Sequence, residues 1–165
     1  IQQAGQAVGA SGEMQAEHYL TDVRRQLQKL KALADRALAQ IAEDRWLVTL
    51  DPDSNSIATI MKHMAGNMRS RWTDFLTSDG EKPDRYRDRE FEVEPDDTRA
   101  SIFSVWEDGW NQVLHAVASL TPDDLGKTVR IRGEAHHPRA IGERGHANPQ
   151  KFKAKTQKAK GDEDR

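Results

Sequence analysis

Three stretches of this chain repeat large apolar residues at steps of three and four, a period that fits the α-helix and no other regular structure. In the first, Leu20, Val23, Leu27, Leu30, Ala34, Leu38 and Ile41 share a face, and Arg24, Arg25, Gln28, Lys31 and Asp35 fill the other. That spacing predicts a helix over about residues 17–42. The second stripe, Ile57, Ile60, Met61, Met64, Met68, Trp72 and Phe75, follows a turn at residues 51–56. There Pro52 keeps Asp51 extended, and Ser54 or Ser56 offers a cap. This helix is expected to stop near Gly80, which suits a left-handed cap. The third stripe, Ile102, Trp106, Gly109, Val113, Val117 and Leu120, is widened by Phe103, Trp110 and Leu114 and predicts a helix over about 98–120.

The segments between and after the stripes have their own signals. Residues 81–97 are charged and bracketed by Pro83 and Pro95. That connection is too long for a simple up-down hairpin, and long ordered loops often carry function or span a bundle end. Thr121-Pro122-Asp123-Asp124 reads as a cap with proline in the first turn. Residues 128–132 alternate as a small strand does, and Gly133-Glu134 turns it. After Glu134 the only large apolar residues are Ile141 and Phe152, and Pro138, Gly142, Gly145 and Pro149 interrupt any helix. Such a tail buries too little to fold alone. The expected organisation is a disordered leader at 1–16, a helical bundle domain at 17–134 and an irregular basic tail at 135–165. The chain does not begin with methionine, as expected of a fragment or of a reading that starts upstream of Met14.

Composition removes several functions. With no cysteine, disulfide frameworks, thiolate metal sites and cysteine nucleophiles are excluded, and any metal must be held by histidine, carboxylate or water. A net charge of −2 gives no general pull toward nucleic acid or anionic lipid. The lysines at 151–160 lack interleaved stacking aromatics apart from Phe152, so no nucleic-acid partner is expected. No run approaches a membrane span, and the N-terminus lacks the plan of a signal peptide. A cytoplasmic protein without membrane contact is therefore expected. P-loop, dinucleotide-binding, nucleophile-elbow and zinc-protease patterns are absent.

The middle of the chain resembles the DinB-like (DNA-damage-inducible) superfamily, in a branch of unknown function. The residues that carry the resemblance include Asn55-Ser56-Ile57, Lys62-His63, Ala65-Gly66-Asn67, Arg69-Ser70-Arg71 and Thr73-Asp74-Phe75-Leu76. It continues through Asp79-Gly80-Glu81-Lys82, Arg85, Arg87-Asp88, Glu90-Phe91, Trp106-Glu107, Gly109-Trp110, Thr128-Val129 and Ile131-Arg132-Gly133-Glu134. The resemblance implies an all-α, up-down-type four-helix bundle, often dimeric. Three long helices are recognisable, the fourth is disrupted, and a short β-hairpin-like segment is added. It also implies a divalent metal, zinc or nickel, held by three histidines, and a thiol-dependent transferase or a hydrolase. His63 matches the histidine of the second helix. The fourth-helix pair is missing: among His136, His137 and His146 no two are four residues apart. This loss of pattern after Glu134 is expected of a frameshifted or misread end.

By residue chemistry alone, His63 is a flank histidine. With the resemblance it becomes a candidate metal ligand, in a site left incomplete here, since one histidine holds no metal tightly. Asn67 and Arg71 extend the same helix edge and are expected to anchor the charged loop or orient a ligand. Arg69, with Arg85 and Arg87, offers forks for carboxylates or phosphates, or for the acids of its own loop. Trp72, Trp106 and Trp110 are expected in the core, and Gly66 and Gly109 are expected to let helices or indole rings approach closely. A missing fourth helix leaves apolar surface that favours a homodimer. A non-enzymatic bundle for association or stress response is the alternative to a metal-dependent enzyme acting on a small-molecule thiol substrate.

Overall fold

Residues 2–136, with side chains from Ser11 onward, are described in a computed structural model. Alanine, glutamine and leucine favour helix intrinsically, and no proline precedes Pro52. The first helix, α1, accordingly runs Gln2–Leu38. The segment expected as a leader is thus helical from Gln2, and the 135–165 tail lies outside the described residues from position 137. At its C-terminal end α1 stops short of Ala42, where the chain tightens into Gln40 N–H to Ala37 and Ile41 N–H to Leu38 bonds.

Ser56, not Ser54, caps the second helix, α2, which spans Ile57–Trp72. Its hydroxyl accepts from the Thr59 N–H at 3.2 Å. Ser54 instead accepts from the N–H groups of Leu50 and Asp51, closing the turn before it. α2 ends at Trp72, earlier than its apolar stripe predicts, and Asp74 takes the left-handed conformation (φ 48°) expected of Gly80. Aspartate tolerates that region better than most residues do. Gly80 serves close approach instead, because a Cβ there would lie 3.2 Å from Ile131 Cγ1. The third helix, α3 (Arg99–Ala118), opens with a reciprocal Thr98–Ser101 capping box.

The up-down order expected of the bundle is corrected in one respect: α2 and α3 run the same way. Lys62 pairs with Asp97 just ahead of α3, Ala65 and Met68 meet Gly109, and the Trp72 carbonyl accepts from Gln112. Residue numbers therefore rise together along both helices. Against α1 they run oppositely, since Arg24 meets Val117, Lys31 meets Glu107 and Glu43 meets Arg99. A Cβ at Gly109 would lie 3.1 Å from the Ala65 Cα, so glycine sets how near α2 and α3 come. Among the described residues there is no fourth long helix, and no helix is long and apolar enough to cross a membrane.

The main core gathers Trp46, Ala58, Met61, Met68, Ile102, Trp106, Trp110, Val113 and Val117. Leu30, Ile60 and Met64, expected inward, are exposed, as is Leu33. For Leu30 and Leu33 the cause is the roll of α1. Its supposedly polar face turns toward α3, where Arg24 donates to the carbonyls of Val117, Ala118 and Leu120 at 3.1, 3.1 and 2.8 Å. Those carbonyls lie in the last turn of α3 and just after it, where helical donors run out and only Val117 has a backbone partner, the Leu120 N–H. Lys31 bonds both Asp35 and Glu107 at 2.7 Å, so the Leu30 side of α1 is left outward.

After α3, a 3-10 turn at Pro122–Gly126 leads to β1 (Val129–Ile131) and β2 (Glu134–His136), an antiparallel hairpin. The hairpin takes in Ala135 and His136, which were expected in the tail. Arg132 (φ 55°) and Gly133 (φ 76°) make its two-residue turn. Asp79 holds that turn, accepting from the N–H groups of Arg132 and Gly133 at 2.8 and 2.7 Å. Its N–H partners, Glu81 first and Gly133 next, keep its carboxyl below the usual carboxylate range. Asp124 is lowered to about 2, first by Lys127 and then by the Thr121 N–H and hydroxyl.

Two outcomes are expected. Arg24→Ala, which leaves the α3 carbonyls without their guanidinium, should cost about 1–3 kcal/mol in chemical denaturation. Because Asp79 and Asp124 have lowered pKa values, the stability they contribute is present above the ordinary carboxylate range and lost on acidification. Unfolding free energy should therefore fall from about pH 4 toward about pH 2, and Asp124→Asn should flatten part of that slope.

Candidate functional site

Because α2 and α3 run the same way, the chain between them must travel back along the bundle. Its charged residues fasten it to α2 as it returns. Ser70, buried on α2, donates to the Gly80 carbonyl and accepts from the Lys82 N–H, both at 3.0 Å. Lys62 donates to the Glu92 carbonyl at 2.9 Å and to Asp97 at 2.6 Å. Between these ties Arg85 bonds Glu90 through Nε to Oε1 at 2.8 Å and Nη2 to Oε2 at 3.0 Å. The Arg85 side chain is 3% exposed. Its pKa is raised, chiefly by the Glu90 hydrogen bond. A fork of this kind aligns a carboxylate in two directions at once.

Glu90 sits directly on Gly66, where a methyl would collide with its carboxylate. Gly66 was expected to admit a helix or an indole ring; what it admits is this acid. From there Glu90 Oε2 reaches His63 Nδ1 at 2.8 Å, and the Phe91 ring lies 4.7 Å from the imidazole. Since an ionised carboxylate only accepts, Nδ1 is the donor. The neutral ring then keeps its lone pair on Nε2, which makes no hydrogen bond among the described residues. Arg85, Glu90 and His63 thus form a relay that orients one imidazole.

The other predicted site residues are spread apart. Arg69 is exposed and lines a groove of about 580 Å³ between α2, α3 and the returning loop. Arg71 is half-buried and borders a smaller cleft beside Trp72, Phe75 and Gly80. Asn67 is half-buried and makes no side-chain hydrogen bond among the described residues. Lys62, His63 and Ser70 are among the side chains that fasten the loop. Trp106 and Trp110 lie in the core, edge to face at 5.8 Å, while Trp72 packs at its margin. Among the described residues no three of His, Asp or Glu come together as a metal would require.

A family model described as a protein of unknown function, DUF1572, matches residues 14–147. No curated protein and no solved structure matches the chain.

Gly66→Ala tests the seating of Glu90. The helix gains about 1 kcal/mol of propensity, and displacing the carboxylate should cost more, with overpacking of about 1–3 kcal/mol. Lower thermal stability and a changed His63 Nδ1 resonance in nitrogen-15 NMR are expected together.

Proposed function

The chain belongs to the DUF1572 family, and from that premise we propose that it is a DinB-like bundle working as a divalent-metal-dependent enzyme, with His63 as one ligand to zinc or nickel. The reaction class is a thiol-dependent transfer on a small molecule, or a hydrolysis. The relay at His63 is the observation that supports this reading. Metal-bound imidazoles as a rule pass their other N–H to a carboxylate, which fixes the ring and raises its basicity. Glu90 does this at 2.8 Å, with Arg85 behind it.

The donor set of the described residues does not fit a complete site, since His63 is joined by Glu90 alone and no three of His, Asp or Glu gather there. Further donors must come from outside residues 2–136 or from a second copy of the chain. When bound, the ion would act as a Lewis acid on water or a thiol.

A second reading, a non-enzymatic association module, is favoured by a different observation. Leu30, Leu33, Ile60 and Met64 are 40–57% exposed on α1 and α2. Apolar side chains in such number mark a surface that meets another protein, here a second copy of the chain.

Metal analysis by mass spectrometry of the purified chain separates the two readings. Near-stoichiometric zinc or nickel, lost at least tenfold in His63→Ala and weakened about tenfold or more in Glu90→Gln, is expected of the enzyme. A metal-free dimer in sedimentation, unchanged by His63→Ala, would replace it with the association module.

A further inference from the structure

The groove beside Arg69 carries charge that the fold itself does not use. Three of its four cations are occupied internally: Lys62 by Asp97, Arg85 by Glu90 and Arg89 by Glu94. Arg69 makes no ion pair among the described residues. The same holds for the carboxylates of Asp84, Asp96 and Asp108, which line the groove as well.

Two of these free groups flank the tightest part of the helix seam. Arg69 stands one turn beyond Ala65 on α2, and Asp108 adjoins Gly109 on α3, where Ala65 and Gly109 make their close contact. They share one groove and have opposite charge, yet they do not pair with each other. Between and beside them the lining is small or apolar: Ala65, Gly66, Gly109, Ile102 and the half-exposed Val105. Val105 lies three residues before Asp108, so both project from the same side of α3. A volume of about 580 Å³ lies within the usual range for small-molecule pockets.

We propose that this groove binds a small zwitterion, with its carboxylate on Arg69, its ammonium on Asp108 and its apolar stem across the seam between them, over Ala65 and Gly109. A purely anionic ligand would meet the unpaired carboxylates of Asp84 and Asp108, and a purely cationic one would leave the guanidinium of Arg69 without a counter-charge. A molecule with both charges on one stem matches both free groups. A guanidinium fork also suits a carboxylate geometrically. The site is separate from the Nε2 face of His63 and does not rest on the metal reading.

The test is a nitrogen-15 NMR titration of the full chain with 6-aminohexanoate, hexylamine and hexanoate, which share a stem and differ only in charge. The zwitterion should shift amides of residues 65–69 and 105–112 in a saturable way, at least tenfold more tightly than either singly charged probe. Arg69→Gln should reduce it to the level of hexylamine, and Asp108→Asn to that of hexanoate. Val105→Trp, which narrows the groove while leaving both charged side chains in place, should weaken all three titrations. Both charged residues are exposed, and retained spectral dispersion checks that each variant is folded. The proposal is overturned if 6-aminohexanoate gives no saturable shift, if hexylamine binds equally well, or if the two charge variants bind as wild type does.

Discussion

The contact between Gly109 and the Ala65 backbone sets the terms for the rest of this molecule. It brings α2 and α3 side by side along a common direction, and two parallel helices cannot be joined by a short turn. The chain leaving Trp72 must return the length of α2, roughly 24 Å at 1.5 Å per residue. Residues 73–98 make that return across the outside of α2 and α3. The groove exists because the loop passes over the seam without filling it. His63 has a carboxylate partner because the loop brings Glu90 back beside the second turn of α2.

A charged loop can follow such a path because its polar groups find partners along the way. Arg85 is the clearest case: its guanidinium is out of water, and Glu90 occupies two of its N–H groups. Replacing a buried pair of this kind by apolar residues is often neutral or stabilising. Its value here is positional. It holds Glu90 at one place over Gly66, and therefore holds the imidazole of His63 in one orientation. The more exposed pairs, such as Arg89 with Glu94, contribute about 0–1 kcal/mol and shape the loop without adding much stability.

The docking of α1 rests on a different balance. Its apolar stripe contributes Val23, Leu27, Ala34 and Leu38 to the margin of the core, and Leu20 is buried against Phe75, Ala116 and Leu120. Its orientation is decided by Arg24 at the carbonyls that end α3 and by Lys31 between Asp35 and Glu107. Turning the helix to serve those groups leaves Leu30 and Leu33 at the surface. Together with Ile60 and Met64 they give α1 and α2 an apolar exterior that three helices do not cover.

By itself the sequence determined the elements. Its period of three and four located all three helices, although α1 reaches back to Gln2 and α2 stops at Trp72, short of Gly80. Thr98 marked the start of α3, alternation and glycine marked the hairpin, and the aromatic stripe of α3 marked the interior. These are local properties, set by side-chain spacing and backbone preference, and they survive without knowledge of what packs where. The tertiary structure alone decided that α2 and α3 are parallel, that Arg24 faces α3, and that Glu90 meets His63 across 27 residues of chain. None of these leaves a periodic trace, because each depends on how the helices roll and on the route of one irregular loop. A glycine one turn beyond His63 was the sole local sign that something would lie against that edge, and spacing carries no information about which acid would fill it.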